Sequence, residues 1–229
     1  MKILIIAAMQ KELDLILKQM PEYVTVVTGF AKCFSGRIGL HEVAVAKCGI
    51  GKVNAALSSS ELVNALHPDL VINSGVAGGL DEKMSIGDIL VADRIAYHDV
   101  WCGPGTKVGQ ADMCPLYYVP RDSELQTLCE LACRPENRIK FGLLCSGDRF
   151  ISTPEEVMNI KSSFPEAMAC DMESAAIAQA CHKRNVPFIA VRVMSDMPGG
   201  GENISEYTNF WNDAPVKTFG IVKDMIDRL

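Results

Sequence analysis

Short apolar runs alternate with amphipathic segments along almost the whole chain, and this alternation limits the folds that the sequence can adopt. The strand-like runs are rich in Ile, Val, Leu and Ala, whereas the segments between them repeat apolar residues at helical spacing. Strands that alternate with helices are typical of a mostly parallel or mixed sheet covered on both faces. The pattern therefore predicts an α/β fold with three α/β/α layers around a central twisted mixed sheet.

Local patterns and turn residues predict the individual elements. The expected strands are 2–8, 23–28, 41–47, 70–74, a run that begins at 89–91, 140–145 and 187–194. The expected helices are 10–20, 51–66, 125–132, 154–161, 170–183 and 210–229. The Gly- and Pro-rich residues 101–120 predict a long surface loop, a kind of loop that is often functional. No linker or repeat interrupts this order, so residues 1–229 are predicted to form a single domain.

Composition and charge argue against several classes of protein. The 229 residues include 28 Asp and Glu and 22 Lys and Arg, and the net charge of −6 disfavours general binding to nucleic-acid phosphate. No apolar run reaches the roughly 18 residues that a bilayer-spanning helix needs, so no membrane segment is predicted. The short apolar start lacks a small-residue cleavage site, and we expect it to be a buried first strand of a cytoplasmic protein.

The nine cysteines are scattered along the chain and form no C-x-x-C motif. Cys129 and Cys133 have no His beside them, which argues against a zinc site. Several of the others lie in apolar runs, where a free cysteine behaves as a small hydrophobic residue. We therefore predict buried, reduced thiols and no metal site.

The dipeptide Ser195-Asp196 is the first candidate for chemistry, because it ends an apolar run and precedes a Gly-rich segment. Open α/β sheets bind their ligands at the carboxyl ends of strands, and a carboxylate placed there would face a cleft. The alternative is that Asp196 only caps a turn or a helix, which is the commoner role of Asp after a strand.

Two further acidic positions have a similar placement. Glu12 follows the first strand, and the alternative is a solvated acid in the first turn of a helix. Asp171-Met172-Glu173 is predicted at the start of the helix 170–183, where acidic residues are favoured by the helix dipole in any case. The apolar residues before it predict that this helix end is buried. A buried acid without a partner favours a ligand role, such as accepting hydrogen bonds from two vicinal hydroxyls.

Three other motifs have both a functional and a structural interpretation. The Gly-rich segment 73–80 would let the backbone approach a ligand, or it is a tight loop between strands; it matches neither a dinucleotide nor a P-loop motif. Phe150 follows a strand-ending turn and either stacks on a base or belongs to the core. His98 has no nucleophile near it in a suitable motif, so we assign it to packing and hydrogen bonding.

In this order, the segments resemble the nucleoside phosphorylase/hydrolase superfamily and, within it, the 5′-methylthioadenosine/S-adenosylhomocysteine nucleosidases. The resemblance extends over nearly the whole chain and rests on the ordered set, since each motif alone is weak. The matching segments are 6–9 with Glu12, 49–53, 74–79, 87–88, 97–99, 146–148 with 150–151, 171–178, 185–188 and 195–196. The resemblance implies a nucleoside phosphorylase-like fold and hydrolysis of an N-glycosidic bond to adenine.

The resemblance also implies the catalytic residues. Asp196 would be the general acid that protonates adenine N7, and Glu12 would be the general base for the attacking water. Arg192 and Ser195 would support Glu12 and Asp196, respectively. These roles agree with the chemistry, because the departing base gains negative charge while the sugar becomes an oxocarbenium-like cation. No metal or organic cofactor is implied.

Substrate-binding roles follow from the same resemblance. Glu173, beside Met172, would hold the ribose hydroxyls, while Phe150 would stack on adenine and the backbone of Ile151 would read its edge. Two more positions are assigned to substrate binding: Met9 and Gly78. The resemblance further implies a homodimer, in which the partner subunit completes the pocket for the 5′ substituent.

Several alternatives remain open at this point. A phosphorylase would need an arginine cluster for phosphate, but Gly87 occupies one of the expected positions and no Arg precedes Arg37, so water is favoured as the nucleophile. A protein that only binds nucleosides would not need two opposed proton-transfer groups. The loop 100–105 carries Trp101 and Pro104 instead of the expected apolar wall. The identity of the 5′ substituent therefore stays open, and the substrate could be 5′-deoxyadenosine. Another adenine nucleoside, such as a futalosine-type compound, also stays open as the substrate.

Overall fold

The computed structural model describes residues 1–132, 138–200, 202–213 and 216–229. Its strands are β1 Lys2–Ala7, β2 Tyr23–Thr28, β3 Ala31–Ile38, β4 His41–Lys47, β5 Leu70–Gly79, β6 Ile89–Tyr97, β7 Ile139–Ser146, β8 Ala167–Asp171 and β9 Phe188–Asp196. Its helices are α1 Gln10–Leu17, α2 Lys52–Leu66, α3 Asp122–Ala132, α4 Pro154–Ser163, α5 Ser174–His182, α6 Asn203–Asp213 and α7 Val216–Ile226. The alternation of strands and helices confirms the predicted α/β fold.

The strands form one mixed sheet in the order β2-β3-β4-β1-β5-β8-β7-β6-β9. β1 pairs in parallel with β4 and β5, and β5 pairs in parallel with β9. β5 also pairs with β8 through its last two residues, so that β5, β8, β7, β6 and β9 close into a ring. Because β1, β5 and β9 run in the same direction, their carboxyl ends meet at one edge of the sheet.

Helices cover both faces of this sheet, as the three-layer prediction requires. One core cluster joins the sheet to α2 and α5 through residues such as Leu62 and Ile177. A second cluster joins the opposite face to α1, α3, α6 and α7 through residues such as Leu13, Phe210 and Met225. The sheet is therefore buried on both sides, and its exposed carboxyl edge is where a ligand can enter.

Several strands differ from the sequence prediction. The strand β3 was not predicted: only Ala31, Cys33 and Ile38 are buried in it, and its second half contains Gly36, a residue that weakens a strand pattern. β5 and β6 are longer than the predicted runs 70–74 and 89–91. The Gly-rich segment 73–80 is therefore mostly strand rather than a tight loop, since β5 continues through it to Gly79 and pairs with β9.

Two predicted helices were also wrong in their bounds. Residues 170 and 171 belong to β8, which pairs with β7, and α5 begins only at Ser174. A short apolar run that leads directly into a helix cannot be divided by periodicity alone, which explains this error. The predicted helix 210–229 is two helices, α6 and α7, and residues 214–215 between them lie outside the described residues.

The cysteines with a described position are free thiols, and six of these eight are buried. Cys133 lies outside the described residues. Residues 101–120 contain no helix or strand, so the predicted loop is confirmed, although Tyr118 forms an isolated bridge with Ile95. The loop does not lie on the surface throughout, because Cys114 and Tyr118 are buried in the core. Among the described residues, no helix is long and apolar enough to cross a membrane.

Candidate active site

A cavity opens at the carboxyl edge of the sheet, where α/β sheets bind their ligands. It lies between the ends of β1, β5, β8 and β9 and the first turns of α1 and α6. Nine of the ten residues predicted from the sequence line it: Met9, Glu12, Gly78, Phe150, Ile151, Met172, Glu173, Ser195 and Asp196. The remaining one, Arg192, lies behind its wall.

Glu12 is held at the cavity floor by backbone donors from two strand ends. Its Oε2 accepts hydrogen bonds from the N–H groups of Ala8 (2.9 Å) and Met9 (2.8 Å), and its Oε1 accepts one from Val76 (3.0 Å). The side chain is buried, and this burial raises the pKa of Glu12, although the charge of Arg192 and the three N–H groups act in the opposite direction. A fixed carboxylate with a raised pKa is suited to accept a proton.

Asp196 is the last residue of β9 and also lines the cavity. Its Oδ1 accepts a hydrogen bond from the hydroxyl of Ser195 (2.6 Å), and its Oδ2 accepts one from the side-chain amide of Asn203 (3.4 Å). Burial raises the pKa of Asp196 to about 6, and the two hydrogen bonds limit the rise. A carboxyl group with this pKa can carry a proton close to neutral pH and donate it.

Glu173 lies between β8 and α5, at the end of the cavity nearest to α2. Its Oε1 accepts a hydrogen bond from the N–H of Gly51 (2.9 Å). Burial raises the pKa of Glu173 to about 7, and the neighbouring Asp171 adds to the rise. The same location brings Met172 to the cavity wall. The carboxylate is thus placed to accept hydrogen bonds from a ligand.

Arg192 supports the site from behind rather than lining it. Its side chain is 1% exposed and donates to Asp171 Oδ2 (2.6 Å from Nη2) and to Asn73 Oδ1 (2.5 Å). Ser174 joins the same network through its hydroxyl, which donates to Asp171 Oδ2 (2.5 Å). The predicted support of Glu12 by Arg192 is therefore electrostatic, because the hydrogen bonds of the guanidinium go to the network around Asp171. The sequence analysis assigned no role to Asp171, yet it neutralises this buried arginine.

Phe150 and Ile151, which follow β7, line the cavity together. Phe150 is 44% exposed and meets the ring of Tyr207 edge-on, with centroids 5.6 Å apart. The hydroxyl of Tyr207 lies 3.2 Å from the sulfur of Met9, across the mouth of the cavity. An exposed aromatic face beside a backbone carbonyl is an arrangement that can stack on a planar base and read its edge. Phe150 is thus a cavity residue rather than part of the core.

The comparisons with known proteins agree with this geometry. The family model of the phosphorylase superfamily matches residues 2–227. A 5′-methylthioadenosine/S-adenosylhomocysteine nucleosidase of Staphylococcus saprophyticus is 39% identical over 224 residues, which are 97% of each chain. The chain belongs to the 5′-methylthioadenosine/S-adenosylhomocysteine nucleosidase family of the phosphorylase superfamily.

Two solved structures of this nucleosidase family share the fold, each with a TM-score of 0.94 and each covering the whole of this chain. One is S-adenosylhomocysteine nucleosidase from Streptococcus pyogenes in complex with 5-methylthiotubericidin, at 33% identity and covered over 97% of its length. The other is the nucleosidase from Streptococcus pneumoniae with a transition-state inhibitor, at 34% identity and covered over 99% of its length. The nucleoside phosphorylase-like fold inferred from the sequence is thereby confirmed.

Val76 lies in β5 and lines the cavity, and it holds Glu12 through its backbone N–H rather than through its side chain. Trp101, in the loop that differs from the family pattern, is 63% exposed and does not line the cavity of this chain.

Tyr207 and Asn203, which α6 brings to the site, were not among the site residues predicted from the sequence. Both lie before residue 210, where the sequence pattern predicted the last helix to begin, so neither was placed near the site. An earlier helix start is indicated by the helical i, i+3, i+4 spacing of the aromatic residues Tyr207, Phe210 and Trp211. Among the described residues, no group of three or more His, Cys, Asp or Glu side chains is arranged to hold a metal ion.

Proposed function

We propose that the protein hydrolyses the N-glycosidic bond of 5′-methylthioadenosine and S-adenosylhomocysteine and releases adenine and the 5′-substituted ribose. The observation that carries this proposal is the pair Glu12 and Asp196, two buried carboxyl groups with raised pKa values that line the same cavity. The names of the relatives support the choice of substrates.

Asp196 serves as the general acid. It donates its proton to N7 of adenine while the bond between the base and C1′ lengthens, so that the base leaves as a neutral molecule. The carboxylate that remains is stabilised by the hydroxyl of Ser195. Proton donation of this kind contributes typically about 10²–10⁴-fold to the rate.

Glu12 serves as the general base. It takes a proton from the water whose oxygen forms the new bond to C1′, and its negative charge stabilises the oxocarbenium-like sugar before the attack. The three backbone N–H groups fix the orientation of the carboxylate, so little reorganisation is needed when the charge develops. Arg192 keeps this buried region from carrying an excess of negative charge.

Three cavity residues position the nucleoside. Glu173 accepts hydrogen bonds from the 2′ and 3′ hydroxyls of the ribose, and Phe150 stacks on adenine. The backbone of Ile151 reads the edge of the base. Met9 and Gly78 contact the sugar. Their position in the lining of the cavity supports this role.

Water is favoured over phosphate as the nucleophile by the charge of the cavity. Among the described lining residues, four are acidic (Glu12, Asp171, Glu173 and Asp196), whereas Arg149 is the single cation. Arg149 is itself paired with Glu156. A phosphate dianion would therefore be repelled rather than held.

We also propose that the protein acts as a homodimer. Ile50, Val53 and Leu57 form an apolar stripe near the start of α2, with exposures of 52%, 67% and 54%. Ile50 at one end of the stripe lines the cavity, so a second subunit bound there would border the site. Exposed apolar side chains grouped beside a cavity are typical of an interface.

A cytoplasmic location is supported by the free thiols, because a reducing compartment keeps cysteines in this form. That residues 1–229 form one domain is supported by the single sheet, which joins strands from both ends of the chain.

Release of adenine from 5′-methylthioadenosine by the purified protein, with and without phosphate, tests the proposed function. Adenine release at the same rate in both conditions supports hydrolysis by water. Release that requires phosphate would contradict hydrolysis and indicate a phosphorylase. Release from 5′-deoxyadenosine or a futalosine-type nucleoside, but from neither 5′-methylthioadenosine nor S-adenosylhomocysteine, would contradict the proposed 5′ specificity.

A further inference from the structure

Asn203, the first residue of α6, reaches from this helix into the wall of the active site. Its side chain is 4% exposed, and its Nδ2 lies 3.2 Å from the carbonyl oxygen of Ile151 and 3.4 Å from Oδ2 of Asp196. The amide nitrogen has two hydrogens, one for each of these acceptors. Asn203 thus links the general acid to the backbone group that reads the base.

The orientation of this amide follows from its neighbours. Amide nitrogen and oxygen are assigned from hydrogen bonding, and the carbonyl of Ile151 can only accept. A flipped Asn203 would point its oxygen at that carbonyl and, when Asp196 is ionised, at a carboxylate oxygen as well. The donating orientation is therefore the one that the ionised site requires.

The same turn of α6 makes two more contacts with the site. Glu206 accepts a hydrogen bond from the N–H of Met197, the residue after Asp196 (2.9 Å), and Tyr207 packs against Phe150. These contacts hold α6 against both the acid and the wall that stacks on the base. The link through Asn203 is thus supported by the packing of the whole turn.

We propose that Asn203 is a positioning residue for the reaction, which fixes the direction of the Asp196 carboxyl group and favours its ionised form once the proton has gone to the base. The proposal rests on the proposed function. Ser195 donates to Oδ1 and Asn203 donates to Oδ2, so the two bonds together fix the direction of the carboxyl group. The bond to Ile151 keeps this direction fixed relative to the edge of the base.

Other groups near Asp196 also affect its pKa. Glu206 on α6 raises the pKa of Asp196, whereas Ser195 and Asn203 lower it. Cys170 at the end of β8 and Tyr207 on α6 also face it, and burial raises the pKa of both, so they stay neutral near neutral pH. Loss of the Asn203 donor therefore raises the pKa of Asp196 against a background that does not change.

The test compares Asn203→Ala and Asn203→Asp with Ser205→Ala, a control in the same turn whose exposed hydroxyl bonds only to the backbone of Glu202. We expect Asn203→Ala to lower kcat/KM about tenfold, the effect of one hydrogen bond to a charged group. The alkaline limb of its pH profile should move up by roughly half a unit to one unit. Asn203→Asp, which has the same shape but no donor and an added charge, should move the limb further.

A titration of the Asp196 carboxyl carbon by ¹³C NMR, assigned with Asp196→Asn, gives a second measurement that does not require turnover. A raised carboxyl pKa in both Asn203 variants, with Ser205→Ala unchanged, supports the inference even if the substrate has been misidentified. Lower activity with an unchanged pH profile and an unchanged carboxyl titration would overturn it and leave Asn203 a structural residue. Absence of adenine release by the unmodified protein would instead contradict the proposed function.

Discussion

At the scale of single residues, the site combines three carboxyl groups whose pKa values are raised mainly because they are buried. Glu12, Glu173 and Asp196 line a cavity where ionisation is costly. Such an arrangement makes proton transfer possible near neutral pH but destabilises the fold, since the ionised groups would be better solvated in the unfolded chain. Function and stability are therefore opposed at these positions.

Asp196→Asn should abolish cleavage, leave nucleoside binding nearly unchanged and stabilise the fold at neutral pH. In the folded protein the pKa of Asp196 is raised from 3.8 to about 6, so the stability that this group contributes is complete below about pH 4 and is lost as the pH rises through 6. The loss amounts to the order of 3 kcal/mol. The amide has no such penalty, and urea unfolding of both proteins at about pH 4 and pH 7.5 checks the difference. A variant that is no more stable than the unmodified protein at the higher pH would contradict this prediction.

Glu173→Gln should weaken nucleoside binding about tenfold to a hundredfold, because the ribose hydroxyls lose a charged acceptor. Binding of free adenine should change by less than about threefold, since adenine lacks these hydroxyls. Calorimetry in the Asp196→Asn background measures both affinities without turnover. Glu155→Gln, an exposed acid on α4, is the matched control. An equal loss of affinity for adenine and nucleoside would show that Glu173 does not hold the ribose.

At the scale of elements, two kinds of prediction from the sequence differ in accuracy. The strand ends that come together were predicted well, whereas the first residue of each element was predicted less well. Asp196 and Glu12 follow apolar strands, and parallel pairing brings such ends to one edge whatever the exact bounds. The direction in which a side chain points from its strand was harder to predict. Arg192 lies in a strand that is buried throughout, where alternation gives no sign that it faces Asp171 rather than the ligand. Asn203 and Tyr207 were missed because they belong to a helix whose start was placed too late.

Gly75 in β5 is the point where the backbone leaves room for the buried charges. A Cβ atom at this position would lie 2.5 Å from Glu12 Oε1 and would also collide with Arg192 Nη1. We expect Gly75→Ala to displace Glu12 and to lower kcat/KM by roughly a hundredfold, as misplacements of about 1 Å do. Gly142→Ala in β7 is the control, because its Cβ meets the flexible side chain of Met168. Steady-state kinetics of both variants measure the effect. Full activity of Gly75→Ala would contradict this prediction.

At the scale of the whole molecule, the proposed homodimer bears on how a 5′ substituent is recognised. The loop 100–105, which the family resemblance assigns to the 5′ pocket, carries Trp101, and this side chain is largely exposed in the single chain. The apolar stripe of Ile50, Val53 and Leu57 lies at the border of the active-site cavity. A second subunit that buries the stripe would both cover apolar surface and close the site, so assembly and specificity would have one cause.

Val53→Glu should therefore convert the proposed dimer to a monomer and lower activity, because a charge would have to be buried in the interface. Leu40→Glu is the control: Leu40 is 87% exposed, but it precedes β4, at the end of the sheet opposite the cavity. Sedimentation velocity gives the oligomeric state, and kcat/KM for 5′-methylthioadenosine gives the effect on the site. We expect the loss of activity in Val53→Glu to lessen as the protein concentration rises, since mass action restores the dimer. A dimer that survives Val53→Glu would place the interface elsewhere, and a fully active monomer would show that one chain completes its own 5′ pocket.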